Sequence, residues 1–184
     1  RRRAPTRGRP DHVVATWDVM DRVAAAHPDV ELMLCASGGG RVDHGTLRRF
    51  HEFWTSDNTD SVTRVRMQWA CSHFFPAATM AAHVTRWGDR PMAFACAVAL
   101  SGRFGIDVDL EALNDQERAV LQRSVQVARR TQGVVQQGRL RRHVSPVDGT
   151  DRSSAAWSLT LGDRTVVFAY QLDGAFEHHG GSRT

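Results

Sequence analysis

The sequence predicts an α/β protein in which about four short parallel strands alternate with helices and an antiparallel β segment follows. Apolar runs that end in polar residues alternate with stretches of helical periodicity up to residue 145. After Pro146 the apolar residues recur with a period of two, which is typical of half-buried antiparallel strands. The chain has 184 residues, fewer than the roughly 250 of a complete eight-stranded barrel, so we expect a partial barrel.

The start of the chain predicts one helix, one strand and a polar connection. Residues 1–10 are basic, contain proline and glycine and lack periodicity, so we expect them to be disordered. From His12 the apolar residues fall at helical spacing, which predicts an amphipathic helix that ends before Pro28. Residues 30–35 are apolar enough for a buried parallel strand, and residues 44–51 indicate a polar helix. This order corresponds to one helix and strand step of a barrel.

The middle of the chain repeats this alternation. Short strands are predicted at 53–56, 80–84 and 104–107. Helices are predicted at 61–75 and 91–100, and the second of these is almost entirely apolar. We therefore expect that second helix to be buried.

The end of the chain predicts a charged helix and then a hairpin. Residues 113–130 indicate a solvated outer helix with Asn114 as its N-cap. The basic stretch 136–145 is typical of a charged junction between a helix and the next domain. A β-hairpin with its turn at Gly162 is predicted after it. Its strands are 156–161 and 165–172.

Two polar motifs follow predicted strands and mark the candidate site. They are Cys35-Ala36-Ser37-Gly38-Gly39-Gly40-Arg41 and Trp54-Thr55-Ser56-Asp57-Asn58-Thr59-Asp60. The carboxyl ends of parallel strands carry the active site in α/β proteins because the loops converge there. The glycine triplet either lets the backbone approach a ligand closely or forms a tight turn beside a buried thiol. It is not a phosphate-binding loop, because no Lys followed by Ser or Thr comes after it.

Asp57 is the residue of the second motif that most needs an explanation. Four residues suited to helix capping, from Asp57 to Asp60, precede the helix predicted at 61–75. A cap accounts for one aspartate but not for two. We therefore assign Asp60 or Thr59 to capping and Asp57 to chemistry.

Composition excludes several classes of protein. The net charge of +4 favours nucleic-acid binding at first sight, but all 24 basic residues are Arg, which indicates a coding bias instead. Three widely spaced cysteines, Cys35, Cys71 and Cys96, fit neither a disulfide framework nor a zinc site. No apolar run reaches the roughly 20 residues of a membrane span. We therefore expect a cytoplasmic protein that binds neither nucleic acid nor membranes.

The two motifs and their separation also carry a family resemblance. Together they resemble the catalytic core of the bacterial retaining α-galactosidases of glycoside hydrolase family 36. The resemblance continues through residues 80–85 and 99–105 and covers roughly 11–147. It implies that residues 11–145 are the second half of a (β/α)8 TIM barrel, with strands five to eight. It also implies that residues 146–184 begin the antiparallel domain that follows the barrel.

The resemblance implies roles for individual residues. Asp57 matches the acid/base, and Cys35 and Gly38 match positions that contact sugar hydroxyls. Trp54 and Asn58 are candidate substrate ligands, an indole wall and an amide, or else supports of the loop. His83 at the end of a strand is a candidate wall or hydrogen-bonding residue, and it has no convincing partner for a metal. Two carboxyl groups suffice for the reaction, so no metal or organic cofactor is expected.

One departure from the family bears on activity. The family nucleophile is the Asp of a Lys-Trp-Asp motif that precedes the glycine-rich segment, and this sequence lacks that motif. The expected activity, hydrolysis of terminal α-galactosyl groups of melibiose- or raffinose-like sugars, therefore needs a carboxylate from elsewhere. Expected partners are a missing N-terminal half or a second copy of the chain. A non-catalytic remnant or sugar-binding module is the alternative.

Overall fold

The computed structural model describes residues 9–88, 90–149 and 152–173. Most of the stretch predicted to be disordered, residues 1–10, lies outside this part, as does the end of the antiparallel segment after residue 173. Arg9 and Pro10 are helical rather than disordered. A proline is well tolerated there because the first turn of a helix makes no use of its missing N–H.

Four parallel strands form the first sheet. They are β1 (Met33–Leu34), β2 (Glu52–Trp54), β3 (Met80–Val84) and β4 (Arg103–Ile106), and they lie side by side in that order. The helices are α1 (Arg9–Ala26), α2 (Ser61–Cys71), α3 (Met92–Ala99) and α4 (Asp115–Gln137), with 3-10 helices at Thr46–Arg48 and Ala77–Thr79. Parallel neighbours need crossover connections, and α2 and α3 supply those between β2, β3 and β4. The predicted α/β class, with four parallel strands of a partial barrel, is confirmed.

The largest departures from the predicted elements lie before β2. The strand expected at 30–35 is only two residues long, and the helix expected at 44–51 is reduced to one 3-10 turn. Among the described strands β1 pairs only with β2, so one side alone holds it extended. The Asp43 carboxylate accepts a hydrogen bond from the Thr46 N–H at 2.6 Å, which starts a tight turn.

The strands divide the sheet into two faces, because successive side chains point in opposite directions. One face packs against helices, and Phe53 at its centre is fully buried. The opposite face is more polar. It carries Met33, Glu52, Trp54, His83 and Arg103, with the small residues Ala81 and Gly105 between them. In a closed barrel the second face is the interior, and here the four strands leave it open.

The outer helix α4 begins as predicted. The Asn114 side chain accepts a hydrogen bond from the Glu117 N–H, and the Glu117 carboxylate accepts one from the Asn114 N–H. This reciprocal capping box satisfies two backbone donors that a helix start leaves free. The helix continues to Gln137, seven residues beyond its predicted end at residue 130.

A second, antiparallel sheet follows α4. Its strands are β5 (Arg139–Val144), β6 (Ser154–Leu161) and β7 (Arg164–Gln171). The predicted hairpin is β6 and β7, and Gly162 in its turn has a φ of +61°. The basic stretch lies where α4 meets this second sheet, and most of it forms the strand β5, which was not predicted. Arg142 of β5 contacts the end of α2, where its Nε donates to the Ser72 hydroxyl at 3.0 Å.

The second sheet packs on the first half of the chain through aromatic residues. Trp69 of α2 lies 5.9 Å from Trp157 of β6 between ring centroids, and Trp157 lies 5.1 Å from Tyr170 of β7. Burial raises the pKa of Tyr170, whose hydroxyl donates to the Ala97 carbonyl of α3. No helix in the described ranges is long and apolar enough to span a membrane.

Candidate active site

Three loops meet at the carboxyl edge of the first sheet. They follow β1, β2 and β3 and comprise residues 35–41, 55–60 and 85–88 with residue 90. The Gly39 N–H donates to the Thr55 carbonyl at 3.2 Å, which joins the first loop to the second. The Thr85 hydroxyl donates to the Thr59 carbonyl at 3.2 Å, which joins the third loop to the second. The predicted convergence of strand-end loops therefore places both polar motifs side by side.

Gly38 lies at the closest approach of two loops. It has a φ of +78°, and a Cβ there would lie 2.8 Å from the Ser56 Cα and 3.2 Å from the Asp57 nitrogen. Glycine is required because the backbone before Asp57 fills the space that a side chain would need. The first predicted reason for the glycine is the close approach of a ligand, whereas the structure shows the close approach of the neighbouring loop. The alternative expected a tight turn and a buried thiol: the turn is present, but the thiol is not buried, because Cys35 is exposed.

Ser37 shares the left-handed backbone conformation with Gly38. Its φ is +54°, which costs energy in a residue with a Cβ. The Ala36 N–H donates to the Gly38 carbonyl at 3.0 Å and closes the turn around Ser37. This turn directs the chain after Cys35 back towards the second loop.

The second loop separates the two aspartates as the sequence predicts. Asp60 is the N-cap of α2: its carboxylate accepts hydrogen bonds from the Thr63 N–H at 2.9 Å and the Thr63 hydroxyl at 2.8 Å. The Arg90 Nε donates to the same carboxylate at 3.0 Å. Asp57 is exposed, and its carboxylate accepts no hydrogen bond from the residues that the structure describes. Asp57 is thus free of the capping role.

Asn58 supports the loop that carries Asp57. Its carboxamide oxygen accepts a hydrogen bond from the Asp60 N–H at 3.0 Å, and its own N–H donates to the Ser56 hydroxyl at 3.1 Å. Asparagine favours such turns because its short side chain reaches the backbone two residues further on. Of the two predicted roles for Asn58, loop support is the one with contacts in the structure.

Trp54 and His83 meet on the open face of the sheet. Their ring centroids lie 4.7 Å apart. Gly105 of β4 makes room for the imidazole, since a Cβ on Gly105 would lie 2.3 Å from the His83 Cδ2. The two rings line an open cavity of about 390 Å³. The other lining residues are Met33, Cys35, Ile106 and Asp107.

The structure therefore brings some predicted site residues together and separates others. Cys35, Trp54 and His83 line one cavity, whereas Gly38, Asp57 and Asn58 belong to the adjoining loops. The lining by Met33, Ile106 and Asp107 was not predicted, although Asp107 follows β4 as Asp57 follows β2. The rule that strand ends carry the chemistry is therefore the signal that identifies Asp107.

The pKa of His83 lies below its ordinary value, which favours the neutral imidazole at neutral pH. Burial lowers its pKa, the charges of Glu52 and Asp107 raise it, and the charge of Arg64 lowers it, with a net lowering. A neutral imidazole has one donor nitrogen and one acceptor nitrogen. It can therefore donate a hydrogen bond through one nitrogen and accept one through the other. Among the described residues no three His, Cys, Asp or Glu side chains come together in a way that could hold a metal ion.

The cap at Asp60 predicts a pH dependence of stability. Burial raises the pKa of Asp60, but its hydrogen bonds from Thr63 and Arg90 and the charge of Arg90 outweigh this, so the net pKa is lowered. A depressed carboxyl pKa stabilises the fold above the unfolded value of about 4, and that contribution is lost as the pH falls through the folded value. We expect Asp60→Ala to cost about 1 kcal/mol at pH 7. Urea unfolding of the parent and of the variant at pH 7 and pH 3 measures the difference in the free energy of unfolding.

Asp60→Asn is the matched control for the charge. Asparagine caps a helix about as well as aspartate but carries no charge. We expect the stability of Asp60→Asn to fall less than that of the parent chain between pH 7 and pH 3. An equal loss of stability in both proteins would contradict the conclusion that the charge of Asp60 stabilises the fold.

Four neighbouring parallel strands with helices between them define part of an α/β barrel, and the open cavity lies at the strand ends. Comparison with known proteins gives the family. A family model described as Melibiase matches residues 4–138, and the chain belongs to the melibiase family.

The relatives of the chain are α-galactosidases. Alpha-galactosidase AgaA of Geobacillus stearothermophilus is 31% identical over 166 residues, which cover 86% of this chain and 22% of AgaA. Alpha-galactosidase C of Emericella nidulans is 33% identical over 175 residues, which cover 91% of this chain and 23% of the relative. The chain thus spans about a fifth of the length of these relatives.

Solved structures agree with the sequence relatives. The GH36 α-galactosidase AgaA variant in complex with raffinose matches with a TM-score of 0.77 and 32% identity over 83% of this chain and 22% of that one. The α-galactosidase from Lactobacillus brevis matches with a TM-score of 0.80 and 29% identity over 85% of this chain and 22% of that one. The predicted resemblance to glycoside hydrolase family 36 is confirmed.

Proposed function

We propose that this chain supplies the acid/base half of a retaining α-galactosidase active site. The observation that carries the proposal is that the two aspartates of the loop after β2 differ in their contacts. Asp60 is committed to the helix cap by Thr63 and Arg90, while Asp57 is exposed at the end of a barrel strand. The solved relatives include AgaA variants in complex with raffinose and stachyose. We infer a terminal α-galactosyl group as the substrate here.

The reaction requires two carboxyl groups about 5 Å apart across the scissile bond. In the first step Asp57 donates its proton to the departing glycosidic oxygen, while a second carboxylate attacks the anomeric carbon. In the second step Asp57 takes a proton from water, and the resulting hydroxyl displaces the enzyme carboxylate. We propose that this second carboxylate comes from the preceding barrel strands, where the family carries its Lys-Trp-Asp motif.

The cavity beside the loop fits one sugar ring. Trp54 offers an apolar wall to the face of the ring, and neutral His83 offers a hydrogen bond to a hydroxyl. We propose that the Cys35 thiol and the backbone at Gly38 contact further hydroxyls. Asn58 contributes its amide group from the loop that it braces.

The wider organisation is also a proposal. Residues 11–138 form the second half of the barrel, and the antiparallel domain begins with β5, which pairs with β6. The first barrel half, or a second copy of the chain, covers the open inner face, because unpaired strand edges and exposed apolar surface favour association. The enzyme works in the cytoplasm, where the three free cysteines remain reduced.

A joined protein tests the proposal. It consists of this chain fused behind the part of AgaA that precedes the matching region. We expect the joined protein to hydrolyse an aryl α-galactoside at an ordinary enzymatic rate, whereas the chain alone should not, because no glycosyl-enzyme can form without the nucleophile. Adding azide to the chain should then yield the inverted glycosyl azide.

Two results would contradict the proposal. Ordinary turnover by the chain alone would mean that the nucleophile lies within it. A folded joined protein without turnover would favour the alternative, a sugar-binding role without catalysis, which equilibrium binding of galactose would reveal.

A further inference from the structure

A buried arginine lies directly beneath the candidate site. Arg64 belongs to the first turn of α2, and only 4% of its surface is exposed. Its Nη1 donates to the Ser56 carbonyl at 3.2 Å, and its Nη2 donates to the Ala81 carbonyl at 2.6 Å. Ser56 directly precedes Asp57, and Ala81 lies in β3. The fork of one guanidinium thus connects the loop of the proposed acid/base to the neighbouring strand.

The same guanidinium packs against Trp54. Its central carbon lies 5.2 Å from the centroid of the indole ring. A cation over an aromatic face is attracted by the ring, and the attraction is stronger when the cation is shielded from water. Arg64 and His83 therefore both contact the indole ring of Trp54.

The charge of Arg64 has no carboxylate partner among the described residues. No ion pair involves it, and its other contact is the Gln68 side chain, to which its Nε donates at 3.4 Å. Burial lowers the pKa of Arg64 to about 10, so the group is still cationic at neutral pH. Burying a charge without a counter-charge is unfavourable, and here neutral carbonyl oxygens and the Trp54 indole offset that cost. A residue needed only for packing would not require this charge.

We propose that Arg64 is a positioning residue of the active site. It holds the Ser56 carbonyl and the Trp54 indole, and thereby fixes the position of the backbone that carries Asp57. The catalytic part of this inference rests on the proposed function. The structural part does not, because the order of the loop can be measured in the chain itself.

Hydrogen exchange in the full chain tests the structural part. The amides of Asn58 and Asp60 are bonded within the loop and report its opening. We expect Arg64→Met to speed their exchange about tenfold or more, because it removes two hydrogen bonds from a charged donor. Exchange in β6 and β7 should change much less. Arg66→Met is the matched control, since Arg66 lies on the same helix and contacts the Arg152 carbonyl instead.

Arg64→Lys keeps the proposal testable if Arg64→Met fails to fold. Lysine retains the charge but lacks the fork that reaches both carbonyls. We expect an intermediate increase in exchange of the two loop amides. The inference is overturned if the Asn58 and Asp60 amides of Arg64→Lys, and of any folded Arg64→Met, exchange at the same rate as in the parent. It is also overturned if exchange becomes faster to the same extent in β6 and β7.

Kinetics of the joined protein test the catalytic part. If Asp57 is displaced, kcat should fall most for substrates whose leaving oxygen must be protonated. We expect Arg64→Met to lower kcat on melibiose several-fold more than kcat on a nitrophenyl α-galactoside, and Arg66→Met to lower neither. Equal losses on both substrates would overturn the positioning role. If the parent joined protein is itself inactive, the proposed function fails, while the exchange experiment still decides the structural part.

Discussion

Replacing Asp57 by Asn in the joined protein is expected to remove most hydrolysis of melibiose while leaving the fold intact. General acid catalysis by a positioned side chain contributes about 10²- to 10⁴-fold, and an amide cannot donate the proton that the leaving oxygen requires. Measurement of kcat on melibiose and on a nitrophenyl α-galactoside gives the size of the effect. The rate of the first step should fall least for the nitrophenyl substrate, because nitrophenolate leaves without protonation.

The control for this variant is its stability. Because Asp60 and not Asp57 caps α2, both Asp57→Asn and Asp57→Ala should unfold at the same urea concentration as the parent chain. Asp60→Ala, in contrast, should lose stability. An Asp57→Asn protein with full activity on melibiose would refute the assignment. The search for the acid would then move to Asp107, the carboxyl group at the end of β4 that lines the cavity.

Gly38→Ala is expected to have the second large effect. The φ of +78° costs about 1–2 kcal/mol for a residue with a Cβ, and a Cβ 2.8 Å from the Ser56 Cα must also push the backbone away. Since this backbone carries Asp57, we expect loss of both stability and activity. Urea unfolding of the chain and kcat of the joined protein measure the two losses.

Gly162→Ala separates the two causes. Gly162 also has a positive φ, +61°, but nothing described in the structure lies within 4 Å of a Cβ there. It should therefore show the cost of the backbone conformation alone, with no effect on activity. If Gly38→Ala were no more harmful than Gly162→Ala, the close approach of the two loops would be wrong.

The local sequence pattern was sufficient to predict several elements. Helix α2 and its cap could be recognised because a cap acts on backbone groups within one turn, so Asp60 and the residues it serves are neighbours in the sequence. The hairpin of β6 and β7 could be recognised because alternation and a turn glycine are local signals too. The two polar motifs carried enough family-specific residues to indicate the family to which the chain belongs.

Strand β5 shows where local pattern was insufficient. Three of its six residues are Arg, and nothing in residues 136–145 alternates as a half-buried strand should. It is extended because β6 supplies hydrogen-bond partners and because Arg142 reaches Ser72, 70 residues earlier in the chain. Only the folded chain provides those partners.

By itself, then, the sequence determined the fold class, the family and the position of the helix cap at the end of the second motif. The tertiary structure alone decided why Gly38 must be glycine, how Gly105 makes room for His83, and that Arg64 lies beneath Trp54 and Ser56. The physical reason is distance along the chain. Caps and alternation act between near neighbours, whereas these contacts join residues on separate elements, and their energies depend on packing that no local pattern encodes.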